Sequence, residues 1–329
     1  MKILILGGTA FLSAATARQA VGRGHQVTCL ARGTSSRPPE GTAWVHADRD
    51  LGIDAYAGVA GEWDAVIDVS RQPGQVRDAL QTLGERAGLW TFVSTVSVYT
   101  DDATPGQDES AALHPPLQAD TYTDPEQYGP AKVACEAAVI ESVGDRAHIS
   151  RAGLIVGPGD VSDRFGYWPA RFARGGRVLV PDTPDALTQV IDVDDLAGWL
   201  LDSAENRTAG ILNAVGDPLP LSQLLDMVAQ VAGDHDQQVR IDPAFLVEHG
   251  VEYWAGPRSL PLWLPAEYRG FGCRSNAAAG AAGMQLRPLV ETAQRSLSYE
   301  RQLGLDRDRR AGLSVDDELE LLSEWSKRS

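Results

Sequence analysis

Five residues at the amino end, Lys2-Ile3-Leu4-Ile5-Leu6, are apolar almost without interruption and stop at Gly7-Gly8-Thr9. A strand with one wet face alternates in polarity. A strand apolar at nearly every position must be covered on both faces, the setting of a parallel sheet between two helix layers. The next residues fit that setting. Ala10 to Arg23 is helix-length and rich in Ala, Gly24-His25 ends it, and Gln26 to Ala31 forms a second strand. The alternation predicts further strands at Ala43 to His46, Ala65 to Val69, Trp90 to Thr95 and Ala147 to Val156. Helices are expected near Gln75 to Arg86 and Glu126 to Val143. Repeated strand-helix-strand units with right-handed crossovers make an α/β fold, a doubly wound parallel sheet.

Beyond Gly157-Pro158-Gly159 the order is less regular. The Trp- and Tyr-containing stretches there suggest a smaller C-terminal cap that binds substrate. The division expected is residues 1–156 as a dinucleotide-binding domain, with about 187–215 returning to it, and 157–329 as mostly cap and C-terminal helices. Asp101 to Asp124, rich in Pro, Asp and Ala, reads as a long loop. Val190 to Asp195 opens an acid-capped helix, and Ser314 to Lys327 reads as an amphipathic surface helix. A chain of 329 residues, 43% hydrophobic, can bury a large core. No apolar stretch is long enough to span a bilayer. Three cysteines far apart (Cys29, Cys135, Cys273) and no signal-like start point to the cytoplasm. The net charge of −16 argues against a general polyanion binder, so an anionic cofactor would need a local basic site.

Chemistry is expected at four places. The turn Gly7 to Ser13 leaves free N–H groups at a helix N-terminus, which suits a pyrophosphate and places Gly7, Thr9, Ala10, Phe11 and Leu12 against it. Ala10 and Ser13 stand where such turns usually carry further glycines. The second strand ends in Ala31-Arg32 rather than in an acid, so Arg32 favours a ribose 2′-phosphate and NADP over NAD. Ser94 and Thr95 put hydroxyls at a strand end, where doubly wound sheets bind ligands. Tyr128 and Lys132 are four residues apart, about one helical turn. From one helix face the ammonium would depress the phenol pKa and make it a proton donor and acceptor.

Together these residues resemble the short-chain dehydrogenase/reductase superfamily, a Rossmann-fold group, in its extended or atypical branch known as the NAD-dependent epimerase/dehydratase family. The resemblance covers Met1 to Asp195 well and the remainder loosely. It implies a catalytic set of Thr95, Tyr128 and Lys132: Thr95 bonds the substrate oxygen, Tyr128 exchanges its proton, and Lys132 also holds the nicotinamide ribose. It further implies cofactor contacts at Asp48 and Arg49 and at Val69 and Ser70. The opening Gly-Gly-Thr-x-Phe-Leu looks like a subgroup with reductase-like and chloroplast RNA-binding members. Two departures narrow the activity. Val96-Ser97 follows Thr95 where sugar-nucleotide dehydratases have Asp-Glu, and Leu154 stands where epimerases have an Asn that supports the nucleotide diphosphate.

The reading that follows is an NADP(H)-preferring oxidoreductase acting on a carbonyl or alcohol of a small organic molecule. An NAD-dependent sugar or nucleotide-sugar epimerase is the alternative, and a non-catalytic cofactor-binding regulatory or RNA-associated protein the second. Tyr99, Arg164, Tyr167 and Trp168 are the expected substrate lining, with Asp163, Trp254 and Trp263 as further candidates. No metal, nucleic acid or membrane partner is expected, and a homodimer is open.

Overall fold

The computed structural model describes residues 1–34, 36–233 and 238–328. In chain order, β1 (Lys2–Leu6), α1 (Phe11–Gly22), β2 (Gln26–Ala31), β3 (Ala43–His46), β4 (Trp63–Asp68), α2 (Pro73–Leu83), β5 (Ala87–Thr95), α3 (Tyr128–Val143) and β6 (Ala147–Ala152) form the first half. There follow β7 (Leu154–Val156), α4 (Arg164–Ala173), β8 (Val178–Pro181), β9 (Leu187–Thr188), β10 (Val190–Asp192), α5 (Val193–Asn206) and β11 (Gly210–Ala214). The rest comprises β12 (Leu219–Pro220), α6 (Leu221–Ala232), β13 (Gln238–Ile241), α7 (Pro243–Glu248), β14 (Glu252–Trp254), β15 (Ser259–Pro261), α8 (Ala277–Ala281), α9 (Leu289–Leu303) and α10 (Val315–Ser326).

The sheet has seven parallel strands in the order β11-β6-β5-β4-β1-β2-β3. Strand geometry sends alternate side chains of β1 to opposite faces. Ile3 and Ile5 pack with Leu12, Ala17, Trp199 and Leu200 from α1 and α5. Leu4 and Leu6 pack with Val76, Leu80, Cys135 and Val139 from α2 and α3. Both faces of the strand are thus dry, as the apolar run requires. Helix α2 starts at Pro73, where the missing N–H costs nothing. Chain order reverses at β1, between β2 and β4, and the crevice of a doubly wound sheet lies at the carboxyl edge of such a pair.

The strand expected over Ala147 to Val156 is two strands. Ala152 pairs with Thr95 on one side and Ala214 on the other, and both neighbouring strands end there. Leu154 to Val156, with no partner left in the sheet, pairs instead with β10. The bend at Gly153 carries the chain out of the sheet into a second core, built from Phe165, Trp168, Leu224, Phe245, Leu260 and Trp263 among others. Asp192 caps α5 by accepting from the Asp194 N–H at 2.8 Å, and Ser314 caps α10 by accepting from the Asp317 N–H at 3.1 Å. No helix is long and apolar enough to cross a membrane among the described residues.

The long loop 101–124 is pinned to the C-terminal segment by Arg274. This buried guanidinium reaches Asp102 at 2.8 Å, the Asp101 carbonyl at 2.7 Å and Gln107 at 2.6 Å. On β6, buried His148 donates to the Thr208 carbonyl at 2.9 Å and accepts from the Ser150 hydroxyl at 2.8 Å. Burial pushes its pKa down to about 4 from 6.5. The folded state therefore resists a proton that the unfolded chain takes up once pH falls below about 6.5. Stability should decline between about pH 6.5 and 4, by up to about 3 kcal/mol from this group. Melts across that range should show a shallower decline in His148→Asn, which has nothing to titrate there.

Candidate active site

The nucleotide end is the turn between β1 and α1. Gly8 has φ +105°, and a Cβ there would overlap the Cys29 sulfur on β2, so no side chain fits between the turn and the next strand. Ala10, the N-cap of α1, is extended and offers no side-chain cap, and the first turn holds no acid. The helix N-terminus therefore presents backbone donors without a built-in acceptor. Ser13 turns its hydroxyl to the Ala10 carbonyl at 2.8 Å, so its bulk stays within the turn. Leu12 is buried in the core beneath, and Phe11, at φ +32°, lies against Gly159.

From here a cleft of about 360 Å³ runs past Thr9, Arg32, Asp48, Val69, Ser70 and Arg71. Its size and its row of backbone donors fit the nucleotide half of a dinucleotide. Arg32 is half-exposed at the rim, 3.7 Å from Asp48 and 3.6 Å from Asp50. Its charge is therefore shared with two carboxylates, which the sequence reading of a lone arginine did not weigh. Arg49 is a correction. It borders the cleft, but its guanidinium is taken up by the protein itself, bidentate to Asp68 at 2.7 and 3.1 Å, with further bonds to the Tyr56 hydroxyl and the Gln75 carbonyl. Asp68 also accepts from the Ser70 N–H at 2.9 Å, so this ion pair shapes the loop after β4. An acid closing the apolar run Ala65–Ile67 at the end of β4 was the available signal for it.

At the other end, Thr95 closes β5 and accepts from the Ser97 N–H at 3.2 Å, while its own hydroxyl donates to Ser97 Oγ at 3.2 Å. Tyr128 is the first residue of α3 and stacks at a tilt on Tyr122, with ring centroids 6.1 Å apart. Gly129 allows this approach, because a Cβ there would overlap the Ser97 carbonyl oxygen. Ser94 is buried beside Thr95 with an unpartnered hydroxyl.

The expected partnership of Lys132 with the phenol is overturned. Lys132 lies beneath the helix, with its ammonium donating to the carbonyls of Ser70, at 2.8 Å, and Val93. Burial pushes it down to about 8. Burial likewise raises the Tyr128 phenol above its ordinary value, and the groups that pull it back are Thr95, Arg71 and Arg164. One of the three ammonium donors remains for a ligand.

The expected substrate lining separates. Arg164 lies over the Trp254 ring at 5.0 Å, and its charge favours ionisation of the Tyr128 phenol. Tyr99, Tyr167 and Trp168 are corrections. The buried Tyr99 hydroxyl donates to Asn213 at 2.6 Å and accepts from Arg151 at 3.0 Å, within a network closed by the Arg151–Glu136 ion pair. Tyr167 and Trp168 belong to the second core, where Trp168 donates to the Pro261 carbonyl at 2.8 Å. Asp163 pairs with Arg307 and accepts from the Arg310 N–H, and Trp263 is buried. Helical aromatics at these positions face a core that only the cap's packing creates. Arg71, which sequence reasoning did not place near the phenol, acts on it from the loop after β4.

No family model matches the sequence, and no curated protein matches it. Solved structures do. A putative epimerase from Burkholderia cenocepacia is 21% identical, with a TM-score of 0.68 over 92% of this chain and 98% of that one. UDP-N-acetylglucosamine 4-epimerase from Bacillus cereus is 14% identical, with a TM-score of 0.68 over 92% and 99%. UDP-glucuronic acid 4-epimerase from Bacillus cereus, solved in complex with NAD, is 13% identical, with a TM-score of 0.67 over 94% and 99%. The chain therefore has the Rossmann-type α/β fold that these epimerases share, cap included.

Because α3 meets the Thr95–Ser97 turn through a position with no room for a methyl, Gly129→Ala should lower stability by about 1–3 kcal/mol. Denaturant melts would measure the loss, and spectra of the bound dinucleotide would report whether the site around Tyr128 has shifted.

Proposed function

We propose that this protein is a nicotinamide-dinucleotide-dependent enzyme that oxidises and re-reduces a secondary alcohol, the use of such a site made by epimerases. The observation that carries the reading is Tyr128, held against the Thr95 turn by Gly129 at the carboxyl edge of the sheet. A bound nicotinamide would supply the hydride acceptor and donor. Gly7, Thr9, Ala10 and Phe11 would hold the pyrophosphate, Arg32 and Asp48 the adenosine ribose, and Lys132 the second ribose through its remaining donor.

Tyr128 handles the proton. With its pKa raised by burial it is a protonated phenol at neutral pH, suited to donating to a carbonyl oxygen. On oxidation it must accept the alcohol proton, and the positive fields of Arg71 and Arg164 lower the cost of the phenolate. Thr95 orients the substrate oxygen with its hydroxyl. Epimerisation needs only that the ketone turn over before the hydride returns, so no co-substrate is consumed.

The likeness in fold to epimerases, two of them named for UDP-sugars, over 92–94% of this chain and 98–99% of theirs supports this over net reduction. Net NADP(H)-linked reduction of a small carbonyl is the second reading, favoured by one observation. Leu154 is buried and apolar on β7 and offers a diphosphate no polar partner.

Tyr128→Phe should leave dinucleotide binding intact and cut turnover by about 10²-fold or more. Stereochemical inversion with no net absorbance change at 340 nm supports the epimerase, and stoichiometric NADPH consumption would promote the reductase. Full turnover by Tyr128→Phe would refute both.

Cofactor choice hangs on the Arg32 rim. Two nearby carboxylates oppose a 2′-phosphate there, so Asp50→Asn should shift the ratio of NADPH to NADH affinity towards NADPH, and Arg32→Ala towards NADH. Each change should be a few-fold, as expected for exposed charges, and titration calorimetry would read it.

A further inference from the structure

Most buried arginines of this chain carry a built-in counter-ion. Arg49 has Asp68, Arg151 has Glu136, Arg171 has Glu318, Arg274 has Asp102, and Arg309 has Glu300. Arg164 does not. Its Nε donates to the Ser162 hydroxyl at 3.2 Å, and its guanidinium covers the face of Trp254, but it forms no ion pair among the described residues. Of the two acids in the same loop, Asp160 forms no direct ion pair with Arg164 and meets it through the shared Ser162 hydroxyl and its field, while Asp163 is engaged by another arginine. Asp160 accepts from the Ser162 N–H at 2.8 Å and from its hydroxyl at 2.9 Å, while Asp163 is taken by Arg307 and the Arg310 N–H.

The position of this charge is specific. Trp254 shares a wall with Val96, Gly153 and Leu154, and Val96 is the residue after Thr95. A guanidinium held over an indole by cation–π attraction keeps its donors, and the two terminal nitrogens of Arg164 donate to no group among the described residues. Half-burial with a carboxylate that reaches it only through a hydroxyl leaves the guanidinium incompletely paired, and a ligand that brings an oxyanion completes the pairing. In a chain of net charge −16, an anionic ligand also needs such a local cation to enter at all.

We propose that Arg164 is a substrate-binding residue that pairs with an oxyanion, a carboxylate or a phosphate, carried near the carbon on which Tyr128 acts. The inference rests on the hydride-transfer reading and narrows its substrate to an acidic secondary alcohol or its ketone.

The test uses dinucleotide-loaded wild-type protein, Arg164→Leu, Arg164→Gln and Arg164→Lys. Glucuronate and glucose 6-phosphate are each compared with glucose, the neutral sugar from which they differ by one acidic group. By calorimetry, the wild type should bind at least one anionic member tenfold or more tightly than its neutral partner. Arg164→Leu should abolish that difference and leave the neutral member within about twofold. Arg164→Lys should restore part of it, since a point charge replaces a fork. Whether the carboxylate or the phosphate is preferred identifies the oxyanion. Arg164→Gln guards against a folding defect in the Leu variant, with melting temperature as the control.

Equal binding of charged and neutral members, binding by none of them, or persistence of the preference in Arg164→Leu and Arg164→Gln would overturn the proposal. So would a loss of dinucleotide affinity in these variants, because Arg164 would then serve the cofactor phosphates. Absorbance at 340 nm and the stereochemistry of the recovered sugar are read in the same samples. Arg164-dependent anion binding with neither reduction of the bound dinucleotide nor inversion of the sugar would leave the oxyanion site standing and refute the hydride-transfer reading.

Discussion

A parallel sheet covered by helices on both faces leaves polar chemistry a single place to emerge, the carboxyl edge of its strands. Ile3 and Ile5 on one side and Leu4 and Leu6 on the other commit the first strand to that arrangement. The turn at Gly7-Gly8, the loop after Asp68 and the hydroxyl end at Thr95 then lie along one edge, because neighbouring strands run in the same direction. Even the departure of β7 from the sheet follows from this edge. Its predecessor β6 runs out of partners at Ala152, and the chain must leave to form the cap.

Loops at that edge cannot be held by apolar packing alone, since they must stay polar where a ligand enters. Buried ion pairs hold them instead. Arg49–Asp68 shapes the floor of the nucleotide cleft, Arg151–Glu136 ties β6 to the tyrosine helix, and Arg274–Asp102 clamps the loop 101–124. Such pairs add little net stability compared with a well-packed apolar pair. Losing one member, however, strands a buried charge at a cost of about 3–5 kcal/mol. Their value is geometric, and Arg164 stands out as a half-buried cation acting on Tyr128 that forms no direct ion pair among the described residues.

The electrostatics of the phenol carry a related lesson. Helical spacing places Tyr128 and Lys132 on one face, yet one turn of helix also displaces them along its axis. The ammonium settles on the carbonyls of Ser70, in the loop after β4, and Val93, within β5. The cations that act on the phenol come from other elements, Arg71 from the loop after β4 and Arg164 from the start of α4.

Local sequence by itself determined the layer order. Apolar runs, the glycine turn and the punctuation at Gly24 and Pro73 specify strands and helices through backbone sterics and burial, and these act within a few residues. The positions of Thr95, Tyr128 and the phosphate turn were legible for the same reason, since each sits at the end of an element the pattern defines. Tertiary structure alone decided which side chains face the site. Tyr99, Tyr167 and Trp168 read as lining but are packed into cores, Arg49 reads as a ligand contact but closes on Asp68, and Lys132 reads as the phenol's partner but is held by backbone. In each case the partner lies far away in sequence, and an aromatic ring or a cation takes its role from what surrounds it rather than from its spacing.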